Sequence, residues 1–134
     1  MKTVYLCHDQ QASPASRQNF LEMAGYDVRL FQGGRDLFLA IAEEAPDLVV
    51  LDVLIDGKNG FEVCAEMHRT RHRTFPVILC SHIYRGRAFQ DEALNSGASD
   101  YLMMPMDLEE FVTRVNDCMD RFRTKAQGLN IDAA

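Results

Sequence analysis

Asp52 is the residue whose type and position most clearly indicate chemistry. It closes an apolar run over residues 48–51, and Gly57 and Gly60 follow it closely in the chain. Removing a carboxylate from water is costly unless the carboxylate binds a cation or takes part in a reaction. A carboxylate between a buried strand and a glycine-bearing loop therefore predicts a reactive or cation-binding site.

Further polar or unusual residues stand directly after other apolar runs that suit buried strands. They are His8, Asp9, Ser81, His82, Met104 and Pro105. Because the carboxyl ends of parallel strands share one edge of a sheet, we expect these residues to lie near Asp52. Carboxylates that share a cation must be close neighbours, so the expected pocket requires Asp9 to lie close to Asp52.

The elements that would position these residues follow from the hydrophobic pattern. Apolar runs typical of strands cover residues 3–7, 26–31, 48–52, 75–80 and 100–103. Stretches of helical period alternate with them; the first begins near Ser13-Pro14 with Phe20, Leu21 and Met23 as apolar positions, and the last is long and amphipathic. Five strands alternating with five helices predict an α/β fold with a parallel sheet covered on both faces.

Length and composition narrow the class of protein. The 134 residues suit one domain, which we place at residues 1–123, with residues 124–134 as a flexible tail or linker. A net charge of −6 argues against nucleic-acid or anionic-membrane binding by this domain alone. No signal peptide or membrane span is evident, so we expect a cytoplasmic protein. The four cysteines are far apart and stand among apolar residues, which predicts buried structural thiols.

Four stretches of the chain carry a resemblance to a known family. They are residues 4–9, residues 46–52 with Gly57 and Gly60, residues 76–81, and residues 97–102 with Pro105. In this order and at these separations they resemble the receiver domain of bacterial response regulators, over about Lys2 to Arg123. The resemblance implies a flavodoxin-like, doubly wound five-stranded sheet of order 2-1-3-4-5 with five helices.

The resemblance also implies a function in two-component phosphorelay signalling. Asp52 would accept a phosphoryl group from a histidine kinase or phosphotransfer protein, and Mg²⁺ would be held by Asp9, Asp52 and the backbone carbonyl of Leu54. Ser81 would contact the phosphoryl group while Tyr101 changes rotamer. A downstream protein would read the surface of the fourth helix, fifth strand and fifth helix, and a homodimer is compatible with the family. Beyond self-phosphorylation and slow autodephosphorylation, no enzymatic activity is implied.

Two residues depart from the family pattern in ways that weaken the expected chemistry. His8 stands where the family has the first of two adjacent carboxylates, which leaves it at most an outer-shell role, and Met104 stands where the family has a lysine. We therefore expect a weakened Mg²⁺ site at which Mn²⁺ or Zn²⁺ competes better, and slow, weakly switching or absent phosphorylation. Arg85 or Arg87 is our candidate for replacing the lysine, because a guanidinium binds phosphate bidentately.

Two neighbouring positions complete the altered pocket. His82 replaces a small residue and could narrow access for the phosphodonor or join His8 at a metal. The bond before Pro105 is expected to be cis, as in the family, with the flanking methionines sealing the pocket floor.

Three functions remain open on these residues. The first is a phosphoryl-accepting receiver, and the second is a phosphorylation-independent pseudo-receiver that acts as a protein-protein interaction module. The third is a sensor of a metal or small ligand built on the altered pocket. A flavin-binding function is disfavoured, because no hydroxyl- and glycine-rich loop follows the first strand.

Overall fold

A computed structural model describes residues 1–9, 13–55, 58–70 and 74–126 of the chain. The elements in chain order are β1 (Thr3–Cys7), α1 (Ala15–Met23), β2 (Asp27–Phe31), α2 (Gly34–Glu43), β3 (Leu48–Asp52), β4 (Leu54–Ile55), β5 (Lys58–Asn59), α3 (Gly60–Thr70), β6 (Val77–Ser81), α4 (Arg87–Asn95), β7 (Asp100–Met103) and α5 (Leu108–Ala126).

The main sheet has five parallel strands in the order β2-β1-β3-β6-β7. This order is the predicted 2-1-3-4-5 arrangement, and the flavodoxin-like fold is confirmed. The short antiparallel pair β4 and β5 is an addition that the sequence did not predict. The strand predicted at residues 75–80 runs instead from Val77 to Ser81, because Pro76 has no N–H for the sheet and Phe75 packs into the core.

Each strand sends alternate side chains to opposite faces of the sheet. On one face Tyr5, Val49 and Leu79 pack under α2, α3 and α4. On the other face Val50 and Ile78 pack under α1 and α5. This alternation places Asp52, two residues after Val50, on the α1–α5 side of the sheet.

The four cysteines are buried and free, as the sequence predicts. Burial raises the pKa of Cys7 and of Cys80 to about 12, so both thiols are neutral at physiological pH. They act as small core residues rather than as nucleophiles.

The ends of the described chain bear on two sequence predictions. Helix α5 continues to Ala126, past the domain boundary placed at residue 123. Residues 127–134, most of the predicted tail, lie outside the described residues, as does Gly57. Among the helices that are described, none is both long enough and apolar enough to cross a membrane.

Candidate functional site

The carboxyl ends of β1, β3 and β6 surround an open pocket of about 290 Å³. The residues that line it are Asp9, Asp52, Leu54, Cys80, Ser81, His82 and Ile83. The backbone N–H of Asp9 donates to Asp52 Oδ2 at 3.2 Å. Asp9 and Asp52 therefore converge on one pocket, as the sequence predicts.

Arg17 of α1 forms a buried, bidentate ion pair with Asp52. Its two terminal nitrogens donate to Asp52 Oδ1 at 2.7 Å and to Oδ2 at 3.0 Å, and the two side chains are only 5% and 4% exposed. Burial by itself would lower the pKa of Arg17, but the hydrogen bond to Asp52 and the proximity of Cys80 raise it above its usual value. Arg17 therefore remains a guanidinium cation at its buried position.

Arg17 was not predicted as a site residue, although the helical period contains a signal. Arg17 and Leu21 are four residues apart and are the buried residues of α1, so they share the face that packs on the sheet. Met23, which we predicted to be part of the apolar set, is 81% exposed. An arginine at the sheet-facing position of a short helix needs a buried anionic partner, and Asp52 is that partner.

Gly60 sets the shape of the loop between Asp52 and α3. A Cβ atom at this position would lie 2.5 Å from the carbonyl oxygen of Asp52 and 2.7 Å from Val53 Cα, so only glycine fits. The Gly60 N–H donates to the carbonyl of Val53 at 2.6 Å, and Asn59 Oδ1 accepts the N–H of Phe61. These contacts turn the chain back after β3 and leave Leu54 half-exposed at the pocket.

Ser81 and Tyr101 are linked through the loop that follows β6. Ser81 Oγ accepts the backbone N–H groups of Ile83 at 3.2 Å and Tyr84 at 2.9 Å. The Tyr101 hydroxyl donates to the carbonyl of Tyr84 at 2.5 Å, and its ring stacks on Phe61 at 6.0 Å between centroids. Burial raises the pKa of Tyr101 above its usual value, so the phenol is neutral and able to donate.

The two histidines of the predicted site, His8 and His82, lie in different surroundings. His8 is buried, its ring Nδ1 is 3.0 Å from the carbonyl of Asp9, and it is not among the residues that line the pocket. His82 is exposed and does line it. Over the described part of the chain, no group of three or more His, Cys, Asp or Glu side chains is placed to hold a metal ion.

Met104 and the arginines proposed to replace the family's lysine occupy different environments. The Met104–Pro105 bond is cis, and Met104 is buried in the core layer under α1 and α5. Arg85 and Arg87 are exposed and do not line the pocket. The guanidinium on Asp52 comes from Arg17, so the structure does not support the proposed role of Arg85 and Arg87.

The oxygen atoms at the pocket fit a magnesium ion. Mg²⁺ prefers hard oxygen ligands, keeps several waters, and is commonly held by one or two carboxylates together with substrate phosphates. Two carboxylates, of Asp9 and Asp52, and the Leu54 residue line one pocket. A phosphoryl group would complete such an oxygen donor set.

Comparison with known proteins decides the family. The family model described as the response regulator receiver domain matches residues 4–116. The chain belongs to this family. Receiver domains serve two-component systems, interact with histidine kinases or phosphotransfer proteins, generally bind Mg²⁺ at the active site, and are generally not enzymes.

Two curated relatives show how much of a longer regulator this receiver domain matches. The chain is 34% identical over 119 residues to the response regulator MprA of Mycolicibacterium vanbaalenii, covering 88% of this chain and 50% of the relative. It is 36% identical over 104 residues to RpaA of Synechocystis, a DNA-binding dual master transcriptional regulator, covering 75% and 42%. The receiver domain thus spans about half the length of the curated relatives it matches.

A solved structure supports the fold. The CheY-like response regulator receiver domain protein of Methanospirillum hungatei superposes with a TM-score of 0.83 at 22% identity, covering 93% of this chain and 98% of the other.

Proposed function

We propose that this receiver domain accepts a phosphoryl group on Asp52 from a histidine kinase or phosphotransfer protein. The observation that carries the proposal is that Asp52 lies at one pocket with Asp9, Leu54 and Ser81. These residues are the acceptor, the second carboxylate, the backbone carbonyl and the hydroxyl that the family chemistry needs. We propose that the domain predicted for residues 1–123 extends to the end of α5 at Ala126, and that the segment after it is a tail or linker.

A carboxylate nucleophile has no proton to give up, so the transfer step needs no general base, and Arg17 holds the Asp52 carboxylate in place through two hydrogen bonds. One Asp52 oxygen forms a bond to phosphorus as the P–N bond of the donor's phosphohistidine breaks. The electron pair of that bond stays on the imidazole, which takes up a proton. The product is an acyl phosphate on Asp52.

Charge on the transferred group must be screened for this step to proceed. When Mg²⁺ is bound it supplies that screening, and Asp9, Asp52 and the Leu54 carbonyl are the groups that would hold it. Mn²⁺ has similar oxygen preferences and would serve as a paramagnetic probe of the same ligands.

The contacts of Ser81 offer a route from the pocket to a partner surface. A phosphoryl group on Asp52 would compete for the Ser81 hydroxyl, which now holds the backbone of Tyr84. Tyr84 in turn holds the Tyr101 hydroxyl. We propose that release of this loop alters the surface of α4, β7 and α5, where a downstream protein or a second copy of the chain would dock.

A phosphodonor assay tests the proposal. The chain is incubated with acetyl phosphate and Mg²⁺, and intact mass spectrometry measures the acyl phosphate, with Asp52→Asn as the control. We expect a phosphorylated species in the wild type and none in Asp52→Asn. Equal masses for the two chains, with and without phosphodonor, would contradict the proposal.

One observation favours a second candidate, a pseudo-receiver that binds its partner without phosphorylation. Arg17 already occupies both oxygens of Asp52 in a buried pair, which holds the acceptor in a neutralised state. Beryllofluoride, a phosphoryl mimic, separates the candidates. Amide shifts that spread from Asp52 to Tyr101 favour the phosphoryl acceptor, and an unchanged spectrum favours the interaction module.

A further inference from the structure

We propose that Arg17 takes the place of the lysine that the family carries at the position of Met104. Arg17 would pair with Asp52 before phosphorylation and bind the phosphoryl oxygens afterwards. This inference rests on the proposed function, since it assigns the phosphoryl-binding cation of the same site.

The faces of the sheet supply the first argument. Asp52 and Cys80 are paired neighbours on β3 and β6, and both side chains lie on the α1–α5 side of the sheet. Met104 belongs to the same core layer and is 5% exposed. Arg17 reaches this layer from α1, with its guanidinium against Asp52 and Cys80. A cation from residue 17 and a cation from residue 104 would therefore approach Asp52 from the same side.

Charge at the site supplies the second argument. Asp9 and Asp52 contribute −2, and Arg17 brings the sum to −1. A phosphoryl group adds further negative charge to an already acidic pocket. Without Arg17, the described pocket would offer no side-chain cation in contact with Asp52.

The shape of the guanidinium supplies the third argument. It is a rigid fork with five N–H donors, and the pair with Asp52 uses one from each terminal nitrogen. After phosphorylation, one Asp52 oxygen remains a carbonyl acceptor and the other bridges to phosphorus. One arm of the fork can stay on the carbonyl oxygen while the other binds a phosphoryl oxygen.

A purely structural role for the Arg17–Asp52 pair would have the opposite effect on binding of the phosphoryl mimic. If Arg17 only neutralises Asp52, its removal frees the acceptor and the mimic binds as well or better. If Arg17 is the phosphoryl-binding cation, its removal weakens binding, and a cation restored at position 104 recovers it.

The experiment titrates beryllofluoride with Mg²⁺ into the folded chain and measures affinity from amide shifts near Asp52. We expect Arg17→Met to lose roughly 10- to 100-fold in affinity, the effect of one charge-assisted contact. Arg17→Met combined with Met104→Lys should recover most of the loss, and Arg17→Lys part of it. Arg87→Met, at an exposed arginine outside the pocket, is the matched control and should bind like the wild type.

Unchanged or tighter binding by Arg17→Met would overturn the inference, and so would failure of Met104→Lys to restore binding in a folded double variant. Arg17→Lys keeps the positive charge, so it remains an informative variant where Arg17→Met fails to fold. The wild-type titration reports separately on the proposed function. A wild type that binds the mimic while Arg17→Met binds equally well leaves the proposed function standing and removes only the role of Arg17. A wild-type chain that does not bind beryllofluoride would contradict both the proposed function and the role of Arg17.

Discussion

The buried pair between Arg17 and Asp52 makes a sharp prediction for stability. Both side chains are at least nine-tenths removed from water and are joined by two short hydrogen bonds. Arg17→Met keeps much of the side-chain volume and leaves the carboxylate buried without its cation. Breaking a buried pair in this way costs about 3–5 kcal/mol. For a domain of this size the melting temperature should fall by roughly 10–20 °C.

Urea unfolding followed by circular dichroism measures the loss, using Arg17→Met, Asp52→Leu and the double variant. Each single variant leaves one buried charge unpaired, whereas the double variant leaves none. We therefore expect the double variant to be more stable than either single variant. Arg114→Met is the matched control, because the pair between Arg114 and Asp100 is also bidentate but 38% and 15% exposed. Arg114→Met should lower the free energy of unfolding by no more than about 1 kcal/mol.

Two results would refute this reasoning. The first is a fall of less than about 1 kcal/mol in the free energy of unfolding of Arg17→Met, because solvent-exposed ion pairs contribute only that much. The second is a double variant whose loss equals the sum of the two single losses, since independent sites add and contacting residues do not.

Four further predictions address the loop, the tyrosine and the thiols. Gly60→Ala should lower the free energy of unfolding by about 1–3 kcal/mol in urea titrations, because the new methyl group would overlap backbone atoms. Gly34→Ala is the control and should lower it less, because a methyl group there contacts only side chains. Equal losses for the two variants would contradict the close approach at Gly60. Tyr101→Phe removes the hydroxyl that donates to the carbonyl of Tyr84, so it should lower the free energy of unfolding by about 0.5–1.5 kcal/mol. An unchanged free energy of unfolding would mean that this hydrogen bond is absent in solution. Burial raises the pKa of Cys7 and Cys80 from 9.0 to about 12, so both thiols are protonated in the folded and in the unfolded state below pH 9. Between pH 9 and about 12 the unfolded thiols ionise while the buried thiols keep their protons, which favours the unfolded state, so the free energy of unfolding should fall as the pH rises from 9 toward 12. Peptide mass spectrometry after iodoacetamide at pH 8 should show both thiols protected in the native chain and modified in urea; rapid native modification would contradict their burial.

Most of the fold could be predicted because the central strands β1, β3 and β6 are buried on both faces and read as apolar runs. The strands at Thr3–Cys7, Leu48–Asp52 and Asp100–Met103 have the predicted bounds. The β4–β5 pair was not predicted, since two residues per strand give no periodicity. Its geometry depends instead on the close approach of Gly60 to the backbone of β3, which is a tertiary effect.

The site was predictable in part. Strand order brings Asp9 and Ser81 to Asp52, and order follows from the alternation of elements together with the family resemblance. Arg17 was not found, because a lone arginine in a polar helical stretch is usually solvated. His8 is buried with its ring nitrogen near a backbone carbonyl, a rotamer choice that sequence does not encode, and its outer-shell role at a metal stays a prediction.

The two-residue alternation along the strands has a consequence for how this domain can be changed. Asp52 and Arg17 lie on the α1–α5 side of the sheet, whereas Tyr101 packs in the layer on the opposite side. Because the sheet separates two distinct clusters of buried residues, we expect a substitution in one cluster to leave most of the packing in the other unchanged. The ion pair of Asp52 and the packing of the Tyr101 ring can therefore be changed by separate substitutions, one on each side of the sheet.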